Sequence, residues 1–166
     1  MDLPNRRPNR LPIMDYSASG VYFVTVCTQD RLCILSTISG EAAIPVGEGL
    51  CALPQTHLTP IGKETEKAIL HINSYDGYEV DKYTIMPNHI HLLISIHNET
   101  GGHRGPPLQA VIGRLKSYTT HLYGKALWQR SFHDHIVRDM DDYVAVWQYI
   151  DTNPLKWHLD TYYSEP

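Results

Sequence analysis

The chain has 166 residues, 42% hydrophobic and 19% charged, with a formal net charge of −4. That balance suits one globular domain with a real core. It excludes a protein held on DNA or on a membrane by bulk charge alone. No apolar run reaches the roughly 18–20 residues that cross a bilayer, so no membrane partner is expected. Residues 1–16 lack the apolar core of a signal peptide, so a cytoplasmic protein is expected. Cys27, Cys33 and Cys51 are odd in number and form no CxxC, which fits a reducing compartment and argues against a disulfide scaffold.

In chain order, Pro4, Pro8 and Pro12 predict an extended arm over 1–16, carrying Arg6, Arg7 and Arg10. VYFVTVCT (21–28) is rich in β-branched and aromatic residues and predicts a strand. Residues 36–60 hold Gly40, Pro45, Gly47, Gly49 and Pro54 and read as a loop insertion. Thr59 and Pro60 mark a helix start, with the helix running through 60–74. Asp76-Gly77 turns the chain into a strand over 78–86, and HIHLLISI (89–96) is the next, joined at Pro87-Asn88. A Gly/Pro-rich loop spans 98–107. A helix follows over 108–124, ending at Gly124. Residues 126–137 read as a fourth strand, and Asp139 caps a last helix over 141–152 ahead of Pro154.

The order strand, helix, strand, strand, helix, strand predicts an α+β, ferredoxin-like βαββαβ antiparallel sheet. Two helices cover one face, and an extra C-terminal helix follows. The other sheet face is expected to be open.

Three features carry chemistry. His89 and His91 alternate with Ile90 on a strand, so both imidazoles point to the same face, opposite the apolar Ile90, Leu92, Ile94 and Ile96. Two neutral imidazoles at that spacing can share a divalent ion, given a third ligand. His133 and His135 form a second pair with the same geometry and compete for that role. Tyr149 and Asn153 are one helical turn apart and share a face. A phenol oxygen can act as a nucleophile, and an amide oxygen can be a hard ligand for Mg²⁺ or Mn²⁺. Finally, residues 104–138 hold six Lys/Arg (Arg104, Arg114, Lys116, Lys125, Arg130, Arg138) against the single acid Asp134. A narrow basic track on an acidic chain suits a single strand better than a broad duplex footprint. A solvated helix face would look the same.

These segments resemble a known family. YTIMPNHIHLLI (83–94) is similar to the HUH motif of single-strand transposases with one catalytic tyrosine, the IS200/IS605 type and their REP-associated relatives. WQYIDTNPLKW (147–157) resembles the tyrosine helix of that family. WQRSFHDHIVR (128–138), GRLKS (113–117) and YSASGVYFVTVCT (16–28) resemble the REP-associated branch, so the likeness spans the chain. It implies cleavage and joining of single-stranded DNA that bears a hairpin. Tyr149 would be the nucleophile, forming a 5′-phosphotyrosine. His89, His91 and Asn153 would hold Mg²⁺ or Mn²⁺. Arg6, Arg7, Arg10, Arg104, Arg114, Lys116 and Arg130 are the candidate DNA contacts. The working unit would be a nucleoid-associated monomer or homodimer. Tyr118 and Tyr123 are the alternative nucleophiles. A hairpin-binding protein that does not cut, and a metal-dependent nuclease that uses water, remain the alternative functions.

Overall fold

The computed structural model describes residues 19–39, 54–97 and 105–164. Arg6, Arg7, Arg10 and Arg104, with the arm and the middle of the 36–60 insertion, lie outside the described residues. Among the described residues, six strands and three α-helices follow one another. They are β1 (Gly20–Cys27), β2 (Ser36–Ser39), β3 (Gln55–Leu58), α1 (Pro60–Leu70), β4 (Tyr78–Ile85), β5 (His89–Ile96), α2 (Leu108–Tyr123), β6 (His133–Val137) and α3 (Met140–Thr152). The main sheet has the order β4-β5-β1-β6 and is antiparallel throughout, as the ferredoxin-like plan requires.

Three local readings change. The insertion carries β2 and β3, which pair with each other as a small second sheet. Their short polar sequences, STIS and QTHL, show no apolar alternation, so no strand signal marks them. The fourth strand is shorter than 126–137. Only His133–Val137 pairs along β1, and Trp128 reaches Thr28 through an isolated bridge. The helix expected over 60–74 tightens to a 3₁₀ turn from His71.

Strand alternation sorts the sheet into two faces. Tyr22, Val24, Val26, Ile90, Leu92 and Ile94 pack with Ile69 of α1 and with Leu108, Val111, Ile112 and Leu115 of α2. The opposite face carries Phe23 and Leu93, and against these lie Val146 and Ile150 of α3. β5 is therefore buried at every position, including both histidines. The expected open face is closed by α3, because Val146 and Ile150 give that helix an apolar stripe that must be covered. Polar pins add direction to the docking. The Tyr143 hydroxyl and the Ser95 hydroxyl both donate to Asp81 Oδ2, at 3.1 and 2.7 Å.

α1 starts where the sequence places it. Thr59 Oγ1 accepts from the Gly62 amide at 3.1 Å, and Pro60 occupies the first turn. Gly62 is required for a different reason: a Cβ there would lie 1.9 Å from the Leu35 carbonyl oxygen. Gly113, on α2, has nothing within 4 Å of the same position. Gly62→Ala should therefore destabilise by about 1–3 kcal/mol or more, since backbone must move. Gly113→Ala should be neutral or stabilise by up to about 1 kcal/mol. Urea melts of the two variants check the contrast; equal midpoints would contradict the packing.

Candidate active site

β5 opens with the histidine pair. Cys27 and Thr25 of β1 stand opposite His89 and His91 in the register. The His89 Nδ1 atom lies 2.8 Å from Asn88 Oδ1. The Asn88 amide nitrogen is turned the other way, donating to the Tyr162 carbonyl at 2.8 Å and the Ser164 hydroxyl at 2.9 Å. Its oxygen can only accept, so His89 carries its proton on Nδ1 and keeps the Nε2 lone pair free. His91 Nδ1 is held by the Thr25 hydroxyl at 2.8 Å. The two Nε2 atoms then face each other at 3.0 Å. Two nitrogens that bind one ion at about 2.1 Å and at a right angle stand roughly 3 Å apart. Both rings are neutral, as ligands must be. Burial pushes His89 down to about 3, with the nearby Arg31 adding to the effect. Burial, then the neighbouring His89, holds His91 well below the usual range, against the pull of Asp160.

α3 brings Tyr149 to the pair. Its ring meets His91 at 5.2 Å and stands edge-on to Phe23 at 5.9 Å. Its hydroxyl lies 3.4 Å from His91 Nε2 and 3.4 Å from Asp160 Oδ2. The residue is 41% exposed, so the hydroxyl sits beside the pair while the ring stays reachable from outside. Burial, the Asp160 carboxylate and Tyr162 push this phenol up to about 12. Asn153, one turn later, is buried at the start of a 3₁₀ segment, Asn153–Leu159. Its Nδ2 donates to Asp160 Oδ2 at 2.6 Å.

Asp160 follows that segment, and its side chain is 1% exposed. Its carboxylate and the two imidazoles offer ligand atoms that all lie within 4.8 Å of one another. This His-His-Asp group can hold a metal ion. The rest of the chain's end closes over it: the Tyr162 ring lies 4.9 Å from that of His89 and 6.0 Å from that of His91. Arg31 fastens this end, with its guanidinium 5.2 Å over the Tyr162 ring and Nη1 donating to the Thr161 carbonyl at 3.1 Å.

No protein-family model matches the chain. A Haemophilus influenzae protein of unassigned function is 26% identical over 183 aligned positions, covering 97% of this chain and 94% of that one. A second Haemophilus influenzae protein, called by name a REP-associated tyrosine transposase, is 24% identical over 152 positions, with 86% and 74% covered. A solved REP-associated tyrosine transposase bound to a REP hairpin has the same fold, with a TM-score of 0.61, 20% identity, and 89% of this chain and 74% of that chain covered. The chain resembles the REP-associated tyrosine transposases.

In this transposase-like fold the other candidates lie elsewhere. Tyr118 and Tyr123 belong to α2, in the helical layer on the far side of the sheet. The Tyr118 hydroxyl reaches Glu64 of α1 at 3.5 Å, and Tyr123 packs on the main core. His133 shares the face of His91 across Thr25, but its neighbour in the pair, His135, is taken by Asp142 at 2.8 Å. Lys116 donates to the carbonyls of Gln129 and Arg130, at 2.6 and 3.0 Å, and so ties α2 to the segment before β6. Arg114 lies 5.3 Å over the Tyr75 ring, beside a cavity of about 420 Å³ between α1 and α2. Arg130 is exposed. Sequence reasoning missed Asp160, Tyr162, Thr25 and Arg31. None sits in a periodic pattern with the motif residues. Asn88 stood inside the quoted motif, and its position next to His89 was the available signal.

The neutral histidines make stability pH-dependent. An unfolded imidazole titrates near 6.5, whereas folded His89 resists protonation until about 3. Between these values the unfolded chain binds more protons, so this stability is full above about pH 6.5 and is lost as pH falls. The thermal midpoint of metal-free protein should drop from about pH 7 to about pH 5, and His89→Gln should flatten that slope. Differential scanning calorimetry across this range checks it, and parallel slopes would be the contrary result.

Proposed function

We propose that the protein is a metal-dependent endonuclease and strand transferase for single-stranded DNA that bears a hairpin. One observation carries the reading: the Tyr149 hydroxyl lies 3.4 Å from a ligand-ready nitrogen of a buried histidine pair. A nucleophile and a metal-binding pair at this distance can both reach the same phosphodiester. The fold shared with a transposase bound to a REP hairpin supports the choice of substrate.

His89 and His91 would hold Mg²⁺ or Mn²⁺ with an oxygen ligand from Asn153 or Asp160. When bound, the ion neutralises charge on the scissile phosphate and favours the phenolate. The chain does the rest. Phe23 and α3 hold the Tyr149 ring in place, which would orient its oxygen for attack on phosphorus. The bond from Oη to phosphorus forms as the phenol gives up its proton. The bond from phosphorus to the 3′-oxygen breaks, and that oxygen takes up a proton. The products are a 5′-phosphotyrosine and a free 3′-hydroxyl. A 3′-hydroxyl from another end reverses the step and joins DNA. The phosphodiester energy is kept in the tyrosyl bond, which is consistent with a sequence without a GxxxxGK[ST] loop.

Incubation of a labelled hairpin-bearing oligonucleotide with protein and Mn²⁺ should give a covalent adduct that maps to Tyr149. Tyr149→Phe should fold, bind the hairpin and form no adduct, while Tyr118→Phe and Tyr123→Phe should still form it. A free 5′-phosphate without adduct would point to a water-using nuclease. Binding with no cleavage under any metal would point to a hairpin-binding protein. Because Tyr149 reaches the histidines of its own chain, a mixture of Tyr149→Phe and His91→Ala should not regain activity. Recovered cleavage would mean that tyrosine acts on a partner's site.

Arg114 and Arg130 are the described cations proposed to follow the DNA backbone, whereas Lys116 has its carbonyl partners. Arg114→Ala should reduce the log–log salt slope of hairpin binding by about one unit. Lys116→Met should mainly lower the melting midpoint. Fluorescence anisotropy over a salt series separates these effects, and an unchanged slope in Arg114→Ala would remove that residue from the interface.

A further inference from the structure

We propose that Asp160, carried on the C-terminal strap 160–164, is an anionic ligand of the metal, so that the ion is held only when the strap is closed over the histidine pair. This rests on the metal-dependent reading above and goes beyond it. The motif residues include two histidines and an amide, none of which brings charge to the ion.

Three observations support it. First, the Asp160 side chain is 1% exposed, yet the groups that donate to it are neutral. Oδ2 accepts from Asn153 Nδ2 at 2.6 Å and from the Tyr149 hydroxyl at 3.4 Å, and Oδ1 accepts from the Tyr162 amide at 2.6 Å. His89 Nε2 stands 4.0 Å away, beyond hydrogen-bond reach. Arg31 is nearby, but its guanidinium faces the Tyr162 ring and the Thr161 carbonyl. A buried carboxylate among neutral donors is costly, and a cation shared with the two imidazoles offsets that cost.

Second, the amide of Asn153 turns its nitrogen to the carboxylate. A group that donates to a ligating oxygen fixes that ligand's position from outside the coordination sphere. Asn153 is then a positioning residue for Asp160. Its own Oδ1 is buried and has no hydrogen-bond partner among the described residues, which makes it the competing ligand.

Third, the strap is fastened at points that converge on the site. The Asn88 side chain bonds His89 on one side and the Tyr162 carbonyl and Ser164 hydroxyl on the other. The Ser164 hydroxyl donates to the Arg31 carbonyl at 3.0 Å. One amide therefore sets both a histidine ligand and the segment that carries Asp160. Opening the strap removes the carboxylate from the histidines. By linkage, an ion that binds only the closed form must also stabilise closure.

The test uses the full chain and Mn²⁺ alone. Titration followed by electron paramagnetic resonance gives the affinity of the wild type, Asp160→Asn, Asn153→Ala and His89→Ala. Asp160→Asn, an isosteric change, should weaken Mn²⁺ binding by at least about tenfold. Asn153→Ala should weaken it by less, and Asp160→Glu should regain part of the loss. Hydrogen exchange supplies a second measurement. Mn²⁺ should slow exchange at the Tyr162 amide in the wild type and leave it unchanged in Asp160→Asn. Wild-type affinity in Asp160→Asn, or a larger loss in Asn153→Ala than in Asp160→Asn, would overturn the proposal and make Asn153 the ligand. Loss in His89→Ala with no loss in Asp160→Asn overturns the role of Asp160 but keeps the metal-dependent reading. No Mn²⁺ binding by the wild type would overturn both. Far-UV circular dichroism of each metal-free variant shows whether the comparison is between folded proteins.

Discussion

Every feature of the site depends on α3 lying across the second face of the sheet. That face is polar at one end and apolar in the middle. Leu93, Phe23 and Val21 offer a small patch, and Val146 and Ile150 fill it. The patch is modest, and burying a few such side chains stabilises by about 1.5–3 kcal/mol each. The docking is therefore helped by directed polar contacts along the edge. Asp81 receives two hydroxyls, Lys82 pairs with Asp151 at 2.5 Å, and the same ammonium lies 5.0 Å over the Trp147 ring. The exposed ion pair adds little by itself. Together these contacts set the rotation of the helix, which decides where the Tyr149 hydroxyl ends up.

Once α3 is seated, the histidines are shut away from water. This has two opposed effects. Burial keeps both imidazoles neutral and leaves their lone pairs available. It also raises the phenol of Tyr149 to about 12, far from the phenolate that the proposed attack would require. A group of neutral bases, one carboxylate and one protonated phenol is short of positive charge. A divalent ion bound as proposed would supply that charge, lower the cost of the phenolate and balance Asp160. The proposed metal thus answers a deficit visible in the arrangement of the side chains, independently of any likeness to other proteins.

The two sides of the sheet divide the work. α1 and α2 bury the large apolar residues of the even positions and carry the main core. The odd positions of the same strands carry Thr25, His89 and His91. A strand buried on both faces allows one segment to be structural and chemical at once. Segment 153–164 adds the Asp160 carboxylate, the Tyr162 ring and the contacts that hold them.

The sequence by itself determined the order of the main-sheet strands and of the α-helices, because period-two alternation, helical spacing and turn residues are local properties. HIHLLISI could be read as a strand with both imidazoles on one face, and Thr59-Pro60 as a helix start, for that reason. Tyr149 and Asn153 were legible as a pair from helical spacing, and the quoted motifs carried the family likeness. The sequence did not show β2 and β3, whose residues lack an apolar rhythm and, among the described residues, pair with each other. Nor did it show that the face bearing the histidines is covered, since an apolar stripe on α3 does not name the surface it meets. Asp160 was invisible for the strongest reason. It lies 69 residues from His91 along the chain, in a short 3₁₀-and-turn segment without periodicity. Only the folding of that segment back across β5 brings a carboxylate to the imidazoles, and packing between distant elements decides that.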